Sequence, residues 1–172
     1  MNDSELIMAV DEEDRFLEER DKWECHQGEG ILHRAFLVMV YSDGGDILLA
    51  RRSPGKMLWP GFWDGTVASH VRRGESYEES ARRRLEEELG LKGAQVHYVT
   101  KFMYHAQYQD MGSEREICAV LTARGGASSH IMPCMQEITE IRYVPPDAVK
   151  SEEEVTPWLL LALQKMIQGQ EL

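Results

Sequence analysis

Cysteine is scarce in this sequence, and no hydrophobic run is long enough to cross a bilayer. The three cysteines, Cys25, Cys118 and Cys134, are scattered through 172 residues and form no C-x-x-C pair. This usage favours a reducing compartment, and we expect a cytoplasmic protein. The longest apolar-rich segments, Ala35–Tyr41 and Trp158–Leu163, have the lengths of a buried strand and a packed helix. No basic start is followed by an apolar run, so no secretory leader is expected.

Basic residues are also fewer than acidic residues. The chain carries 19 Lys and Arg against 30 Asp and Glu, a formal net charge of -11. This balance disfavours nucleic acid or an anionic membrane as a partner, and an anionic substrate would need a local group of cations or a metal. The chain shows no internal repeat, low-complexity segment or linker, so we expect one domain over residues 1–172.

The apolar pattern predicts strands before and after one central helix. A mixed sheet packed between helices is therefore expected, an α/β (α+β) fold. The segment Phe16–Cys25 has no clear apolar pattern, and we expect it to be weakly helical or irregular. A helical tail should begin at Pro145-Pro146 and run through Trp158–Ile167. The predicted extended segments are Glu5–Val10, Leu32–Tyr41, Asp46–Ala50, Trp63–His70, Gln95–Ala106, Glu116–Ala123 and Ile138–Val144.

The clearest helix is Ser76–Leu89. Ser76 and Glu79 have the spacing of a capping box, and Gly90 supplies the C-terminal stop. Apolar or small side chains recur every four residues from Tyr77 to Leu89 and should form one buried stripe. The helix should therefore pack on the sheet and expose its charged residues on the other side.

Charged residues of this helix follow a fixed spacing. Seven residues separate Glu75 from Arg83, and Glu87, Glu88 and Gly90 follow. This order resembles the Nudix box, G-x5-E-x7-R-E-U-x-E-E-x-G-U, in which helix carboxylates hold Mg²⁺ on a diphosphate. The matching positions also include Leu85 and Leu91, whereas Ser69 replaces the leading Gly and Arg84 replaces a Glu. The resemblance implies a Nudix fold.

Histidines and paired glutamates outside the helix form a second pattern. His26 and His33 are seven apart, and His70 lies just before the box. Glu114 and Glu116 are two apart, so on a strand their side chains share one face. Each residue alone has an ordinary structural explanation, but three imidazoles and two carboxylates together would suit a borderline divalent metal such as Zn²⁺ or Mn²⁺.

With these residues the chain is similar to one Nudix branch, the type 1 isopentenyl-diphosphate isomerases, from about Lys22 to Trp158. That family has an H-x6-H pair, a histidine before the box and a later E-x-E pair, which are all metal ligands. The resemblance implies a second metal, Mg²⁺, on Glu88 bridging the diphosphate of a small substrate. It also implies a tyrosine near the reacting carbon at Tyr104 and an aromatic pocket wall at Trp158. Basic side chains for the diphosphate would be Lys22, Arg52, Lys56 and Arg84.

The implied reaction is a 1,3-proton shift between isopentenyl and dimethylallyl diphosphate. One group protonates the terminal alkene carbon, and another removes a proton from the opposite face. Glu116 with Tyr104 suits the acid, and the face of Trp158 suits the tertiary carbocation. The family's second acid/base is a cysteine, and Ala68 occupies that position here.

Because Ala68 cannot transfer a proton, three interpretations of the protein's function remain open. The first is an isomerase whose proton relay is weakened or replaced; Ser69, Cys25 and Cys118 are the neighbouring candidates. The second is a Nudix diphosphohydrolase, acting on a prenyl or nucleoside diphosphate, in which Glu87 and Glu88 hold Mg²⁺ and water attacks phosphorus. The third is a non-catalytic diphosphate-binding module. Arg84 favours the first reading over the second.

Overall fold

The computed structural model describes residues 5–125 and 130–170. The strands belong to one mixed sheet, and helices pack on both of its faces. The elements in chain order are β1 Leu6–Val10, β2 Phe16–Asp21, α1 Lys22–His26, β3 His33–Tyr41, β4 Ile47–Arg52, β5 Trp63–Asp64, β6 Val67–His70, α2 Tyr77–Leu89, β7 Val96–Tyr108, β8 Gly112–Arg124, β9 Ile138–Val144, a 3₁₀ helix Pro146–Ser151 and α3 Pro157–Gln170.

The centre of the sheet is β3. It pairs antiparallel with β1, β4 and β6, and parallel with β8. Its side chains alternate between two cores, as the two-residue period of a strand requires. Phe36 and Val38 face the core under α2, whereas Leu37 and Met39 face the core under α3. The expected α+β fold, a mixed sheet between helices, is confirmed.

The central helix follows its sequence signals. Ser76 Oγ accepts a hydrogen bond from the Glu79 N–H at 3.1 Å, and Glu79 Oε2 accepts one from the Ser76 N–H at 2.8 Å. Gly90 ends the helix with φ of 68°, a left-handed conformation that glycine adopts without strain. Ala81, Leu85 and Leu89 are buried, and Tyr77 packs against the same core. The capping box, the stop and the buried stripe are therefore confirmed.

The expectation that Phe16–Cys25 is weakly helical or irregular is wrong for Phe16–Asp21 and confirmed for Lys22–Cys25. Phe16–Asp21 is a strand paired antiparallel with β1, and a short helix begins at Lys22. The strand lies at the edge of the sheet and most of its side chains are exposed, so it needs no alternation of apolar and polar residues. Asp21 then caps the helix by accepting a hydrogen bond from the Trp23 N–H at 2.8 Å.

Three other segments differ in detail from the expectation. The extended segments Leu32–Tyr41 and Asp46–Ala50 become β3 and β4, which pair at Tyr41↔Ile47, and β4 then pairs along its length with β9. The extended segment Trp63–His70 is two short strands, and the tail is a 3₁₀ helix followed by α3. Across residues 5–125 and 130–170, every helix is too short or too polar to cross a membrane.

Candidate metal and diphosphate site

The sheet brings the predicted histidines and glutamates into one buried cluster. His26 ends α1, His33 begins β3 and His70 ends β6. Glu114 and Glu116 lie on one face of β8, and the parallel β3–β8 pair places His33 opposite Glu116. All five residues are buried. Segments distant in the chain therefore meet at one point of the sheet.

The cluster is tight enough to surround a single ion. Its three imidazole rings have centroids 4.8 to 5.0 Å apart. One ligand atom from each of His26, His33, His70 and Glu114 lies within 4.8 Å of all the others. Glu116 lies beside this group, with Oε2 3.8 Å from His33 Nε2 and 4.0 Å from His70 Nε2. The donor set is the imidazole and carboxylate mixture that transition metals prefer.

Hydrogen bonds on the outer side of two rings fix which nitrogen faces the cluster. His26 Nδ1–H donates to the Lys22 carbonyl at 2.5 Å, and His33 Nδ1–H donates to the Ile31 carbonyl at 2.7 Å. Because those nitrogens carry the proton, each Nε2 presents a lone pair inward. His26 Nε2 is 3.0 Å from Glu114 Oε2, so two acceptors face each other unless a proton or a cation lies between them. The residues fit a divalent metal.

The buried His33 Nε2 supports the same conclusion. Within the described residues this atom has no hydrogen-bond partner, and neither does His70 Nδ1. Burying a polar nitrogen without a partner is costly, and native structures rarely do so without an ion or water. The unpaired nitrogen is thus a further feature that fits a cation in this cluster.

The pKa values of the two glutamates are shifted in opposite directions. Burial acts to raise the pKa of Glu114, but the neighbouring His26 holds it well below its usual range. Burial and the neighbouring Glu114 charge raise the pKa of Glu116 well above its usual range. Tyr104 donates a hydrogen bond to Glu116 Oε1. Two carboxyl groups at one site thus have pKa values shifted in opposite directions, a pattern that favours a proton-donating role for Glu116 over Glu114.

Two of the four cations predicted to bind the diphosphate, Arg84 and Lys56, lie in a second cluster of charged residues. Arg84 pairs with Glu88 on the same helix face, and its Nη2 lies 3.6 Å from Glu137 Oε1. Lys56 pairs with the same Glu137. Burial raises the pKa of Glu88, although Arg84 and Lys56 oppose it. Within the described residues, Arg84 Nε is buried and without a partner, which leaves a free donor for an anion.

The other two predicted cations are held differently. Lys22 Nζ lies 3.3 Å from Glu5 Oε2 and is partly exposed. Arg52 donates to the Leu58 carbonyl at 2.8 Å and to the Trp59 carbonyl at 3.1 Å, so most of its donors are already used inside the protein. Lys22 is therefore held by one partly exposed ion pair, whereas Arg52 is fixed in the wall by several hydrogen bonds.

One cavity of about 790 Å³ joins the two clusters. Its lining is polar near the histidines and helix α2 and aromatic near α3. His33 and Glu88 lie behind this lining. The predicted residues that line it are Lys22, His26, Arg52, Lys56, Ala68, His70, Arg84, Tyr104, Glu114, Glu116 and Trp158.

Three small side chains lie at the part of the cavity where the resemblance implies an acid/base cysteine. Ala68, Ser69 and Cys118 all line it. Burial raises the pKa of the Cys118 thiol well above its usual value, which disfavours the thiolate. The Cys25 thiol is buried, and burial raises its pKa to about 11. Cys25 is not among the lining residues, so of the described cysteines Cys118 is the one that faces the cavity.

The remaining box residues stabilise the helix. Glu75 Oε1 accepts from Arg83 Nε at 2.6 Å, and Ser80 Oγ donates to Glu75 Oε2 at 2.6 Å. Glu87 pairs with Arg83 and Arg84 and is half exposed. Neither Glu75 nor Glu87 is among the residues that line the cavity. Of the box carboxylates, Glu88 is the one placed behind the cavity wall, beside Arg84.

Sequence reasoning missed three acidic residues at this site. Glu5 and Glu137 line the cavity and pair with its cations, and Asp64 supports its wall. None belongs to a spaced motif. In the sequence, Glu137 is a single carboxylate just before the strand Ile138–Val144. Such a residue cannot be distinguished from an ordinary surface charge.

The chain contains a NUDIX domain, whose sequence model matches residues 31–164. An isopentenyl-diphosphate delta-isomerase of Haloarcula marismortui is 34% identical over 173 residues, covering 95% of this chain and 92% of the relative. An uncharacterized Nudix hydrolase of Pseudomonas aeruginosa is 32% identical over 165 residues, covering 96% of this chain and 93% of the relative. The chain belongs to the NUDIX family and, within it, to the group that includes the isopentenyl-diphosphate delta-isomerases.

Solved structures agree on the fold. The crystal structure of the protein DR0079 from Deinococcus radiodurans superposes with a TM-score of 0.75 at 19% identity, covering 94% of this chain and 99% of that one. At this level of identity the likeness concerns the fold alone. The activity must therefore be argued from the site.

Proposed function

We propose that this protein interconverts isopentenyl and dimethylallyl diphosphate by metal-assisted 1,3-proton transfer. The observation that carries the proposal is a single cavity that joins a His/Glu cluster to a cationic diphosphate wall. The similarity to isopentenyl-diphosphate delta-isomerases over most of the chain supports the same reaction. A hydrolase needs the phosphate wall, but it has no use for a buried acid beside an aromatic surface.

Each part of the cavity has a role in this proposal. Arg84 and Lys56, with Lys22 and Arg52, hold the diphosphate through charge-assisted hydrogen bonds. Glu116, hydrogen-bonded to Tyr104, protonates the terminal alkene carbon. The ring of Trp158, which packs 6.2 Å from the Tyr104 ring, forms the wall that faces the tertiary carbocation.

Two cations are part of the proposal. His26, His33, His70 and Glu114, with Glu116 beside them, would hold Zn²⁺ or Mn²⁺. Glu88 would hold Mg²⁺ bound to the diphosphate. When bound, the first ion increases the acidity of the Glu116 and Tyr104 pair and the second neutralises phosphate charge. The proposed substrate is a small diphosphate, and the proposal involves neither nucleic acid nor a membrane. We place the protein in the cytoplasm.

Ala68 leaves the second proton transfer without its expected side chain. It lies opposite Leu37 in the β3–β6 pair and lines the cavity, so a thiol at this position would reach the substrate. Replacing Ala68 with cysteine should therefore restore an acid/base group and raise isomerisation strongly, on the order of a hundredfold. In the unchanged protein, Ser69, Cys118 or water would take the proton more slowly.

Two alternatives define the controls. The Pseudomonas relative named a Nudix hydrolase favours a diphosphohydrolase in which Glu87 and Glu88 hold Mg²⁺ and water attacks phosphorus. However, Arg84 fills a box position that is usually a carboxylate, and Glu87 is paired outside the cavity. The other alternative is a module that binds diphosphate without turnover.

The test is to incubate the unchanged protein and Ala68→Cys with isopentenyl diphosphate, Mg²⁺ and Zn²⁺ or Mn²⁺. Dimethylallyl diphosphate and inorganic phosphate are then quantified separately. We expect dimethylallyl diphosphate from both forms, more from the cysteine variant, and little phosphate. Phosphate release without isomerisation would establish the hydrolase instead, and binding without either product would establish the module.

A further inference from the structure

A fully buried carboxylate, Asp64, lies behind the aromatic wall of the cavity. Its Oδ1 accepts hydrogen bonds from Trp158 Nε1–H at 2.8 Å, from the Thr156 hydroxyl at 3.2 Å and from the Gly65 N–H at 2.7 Å. Its Oδ2 accepts from Arg52 Nη1 at 3.3 Å. Asp64 itself is not among the lining residues, whereas Trp158 and Arg52 are.

These contacts fix the two lining side chains relative to each other. Arg52 Cζ lies 5.3 Å from the centre of the Trp158 ring, so the guanidinium packs on the indole. The edge of Trp59 meets the same indole, with ring centroids 5.2 Å apart and planes at 87°. A rotation of the indole would break its bond to Asp64 and displace Arg52. The carboxylate thus determines both the aromatic face and the neighbouring cation.

Contacts other than those of Asp64 also attach α3 to the sheet. The Thr156 N–H donates to the Trp63 carbonyl at 2.9 Å, and the Trp63 N–H donates to the Glu154 carbonyl at 2.7 Å. Leu159 and Ala162 are fully buried in the core beneath α3. Because backbone bonds and apolar packing already hold this segment, the buried charge contributes something other than docking. A buried carboxylate is costly to retain for packing alone.

We propose that Asp64 is a positioning residue for the isomerisation, which orients the indole of Trp158 and the guanidinium of Arg52 without touching the substrate. This inference rests on the proposed function. An aromatic face stabilises a carbocation only when the ring faces it, so an orientation fixed in advance lowers the barrier. Of the four cations proposed to hold the diphosphate, Arg52 contacts Asp64, whereas Arg84, Lys56 and Lys22 pair with other residues. Asp64 should therefore act on turnover more than on binding.

The test compares Asp64→Ala, Asp64→Asn and the matched control Thr156→Val. The control removes a hydrogen bond to the same oxygen but leaves Trp158 and Arg52 in place. Steady-state kcat and KM for isopentenyl diphosphate are measured in whichever background turns over faster, unchanged or Ala68→Cys. In parallel, the indole N–H resonance of Trp158, assigned with Trp158→Phe, reports the hydrogen bond by NMR independently of activity.

We expect Asp64→Ala to lower kcat by about tenfold or more, as for loss of hydrogen bonds to a charged group, with a smaller change in KM. Asp64→Asn, which keeps an acceptor for the indole, should recover part of kcat, and Thr156→Val should stay within about twofold of its parent. In Asp64→Ala the Trp158 resonance should shift. Combined with Trp158→Phe, Asp64→Ala should lower kcat by clearly less than the product of the two single effects, because part of its effect acts through the same ring.

The positioning role would be overturned if kcat in Asp64→Ala stayed within about twofold of its parent. It would also be overturned if the effects of Asp64→Ala and Trp158→Phe on kcat multiplied in the double variant. An unshifted Trp158 resonance would do the same. If Asp64→Ala does not fold, Asp64→Asn carries the same comparison. Absence of turnover in both backgrounds would refute the proposed function and the role of Asp64 together, whereas turnover with an indifferent Asp64→Ala would refute that role alone.

Discussion

His33 and Glu116 lie directly opposite each other in the parallel β3–β8 pair, with Nε2 and Oε2 3.8 Å apart. The two residues are 83 positions apart in the chain, the difference between 116 and 33. Their approach depends on the central pairing of the sheet, and His70 reaches the same point through the β3–β6 pair. The cluster is therefore a product of the complete fold, and a metal bound there should stabilise the folded state.

Removing one imidazole should remove the metal. We expect the unchanged protein to bind roughly one equivalent of Zn²⁺ or Mn²⁺ per chain, and His33→Gln to lose at least about tenfold in affinity, because the remaining ligands no longer enclose the ion. His97→Gln is the matched control, since His97 is exposed and lies outside the cluster. Metal content by elemental analysis and the metal-dependent rise in Tm are the measurements.

His33 is fully buried, so its replacement tests folding as well as binding. His26→Gln, at the end of a short helix, provides a second ligand variant. Loss of the metal in both variants, with a circular dichroism spectrum like that of the parent, would support the cluster. Undiminished binding in both would show that the metal binds elsewhere.

Arg84 should account for much of the diphosphate affinity. Arg84→Gln removes a cation and leaves Glu88 and Glu137 with less compensating charge at the wall. We expect the Kd for inorganic diphosphate with Mg²⁺ to rise by on the order of tenfold or more. Arg82→Gln, on the exposed face of the same helix, should change the Kd by less than about twofold. Isothermal titration calorimetry measures both, and equal effects of the two variants would contradict the assignment.

The Glu75–Arg83 pair should contribute to stability above acidic pH. Burial acts to raise the pKa of Glu75, but hydrogen bonds from Arg83 and Ser80 lower it to about 2, from an ordinary value of 4.5. Because the folded pKa is the lower one, the stabilisation is present above about pH 4.5 and is lost as the pH falls towards 2. Glu75→Gln should destabilise by about 1 kcal/mol at neutral pH.

Urea denaturation at several pH values measures this effect. The difference in unfolding free energy between the parent and Glu75→Gln should shrink as the pH falls below 4.5. Glu86→Gln, on the exposed face of the same helix, should show a small difference at every pH. A Glu75→Gln difference that is independent of pH would mean that the loss comes from packing rather than from the carboxylate charge.

Local signals in the sequence were sufficient for the elements that a motif or a period defines. The capping box, the buried stripe of α2 and the strand Ile138–Val144 were each predicted from a few adjacent residues. The five-residue His/Glu set was also predictable, because its spacing repeats a family pattern, and the structure gathers it in one place. A single domain over residues 1–172 stays a prediction.

Features set by distant contacts could not be predicted from the sequence. The edge strand Phe16–Asp21 owes its conformation to pairing with β1, since its own side chains are mostly exposed. Asp64 is one carboxylate in a turn-like sequence, and its importance arises only when Trp158 and Arg52 arrive from other parts of the chain. Glu137 gains its role in the same way, through Lys56 and Arg84.

Isomerisation in deuterated water tests the central claim most directly. A proton shift that begins with solvent-exchanged Glu116 should place deuterium on the former terminal alkene carbon, so that dimethylallyl diphosphate is formed with a labelled methyl group. We predict this product from the metal-loaded protein, more of it from Ala68→Cys, and a loss of on the order of a hundredfold or more in Glu116→Gln. Inorganic phosphate with no deuterium in any carbon position would contradict the account.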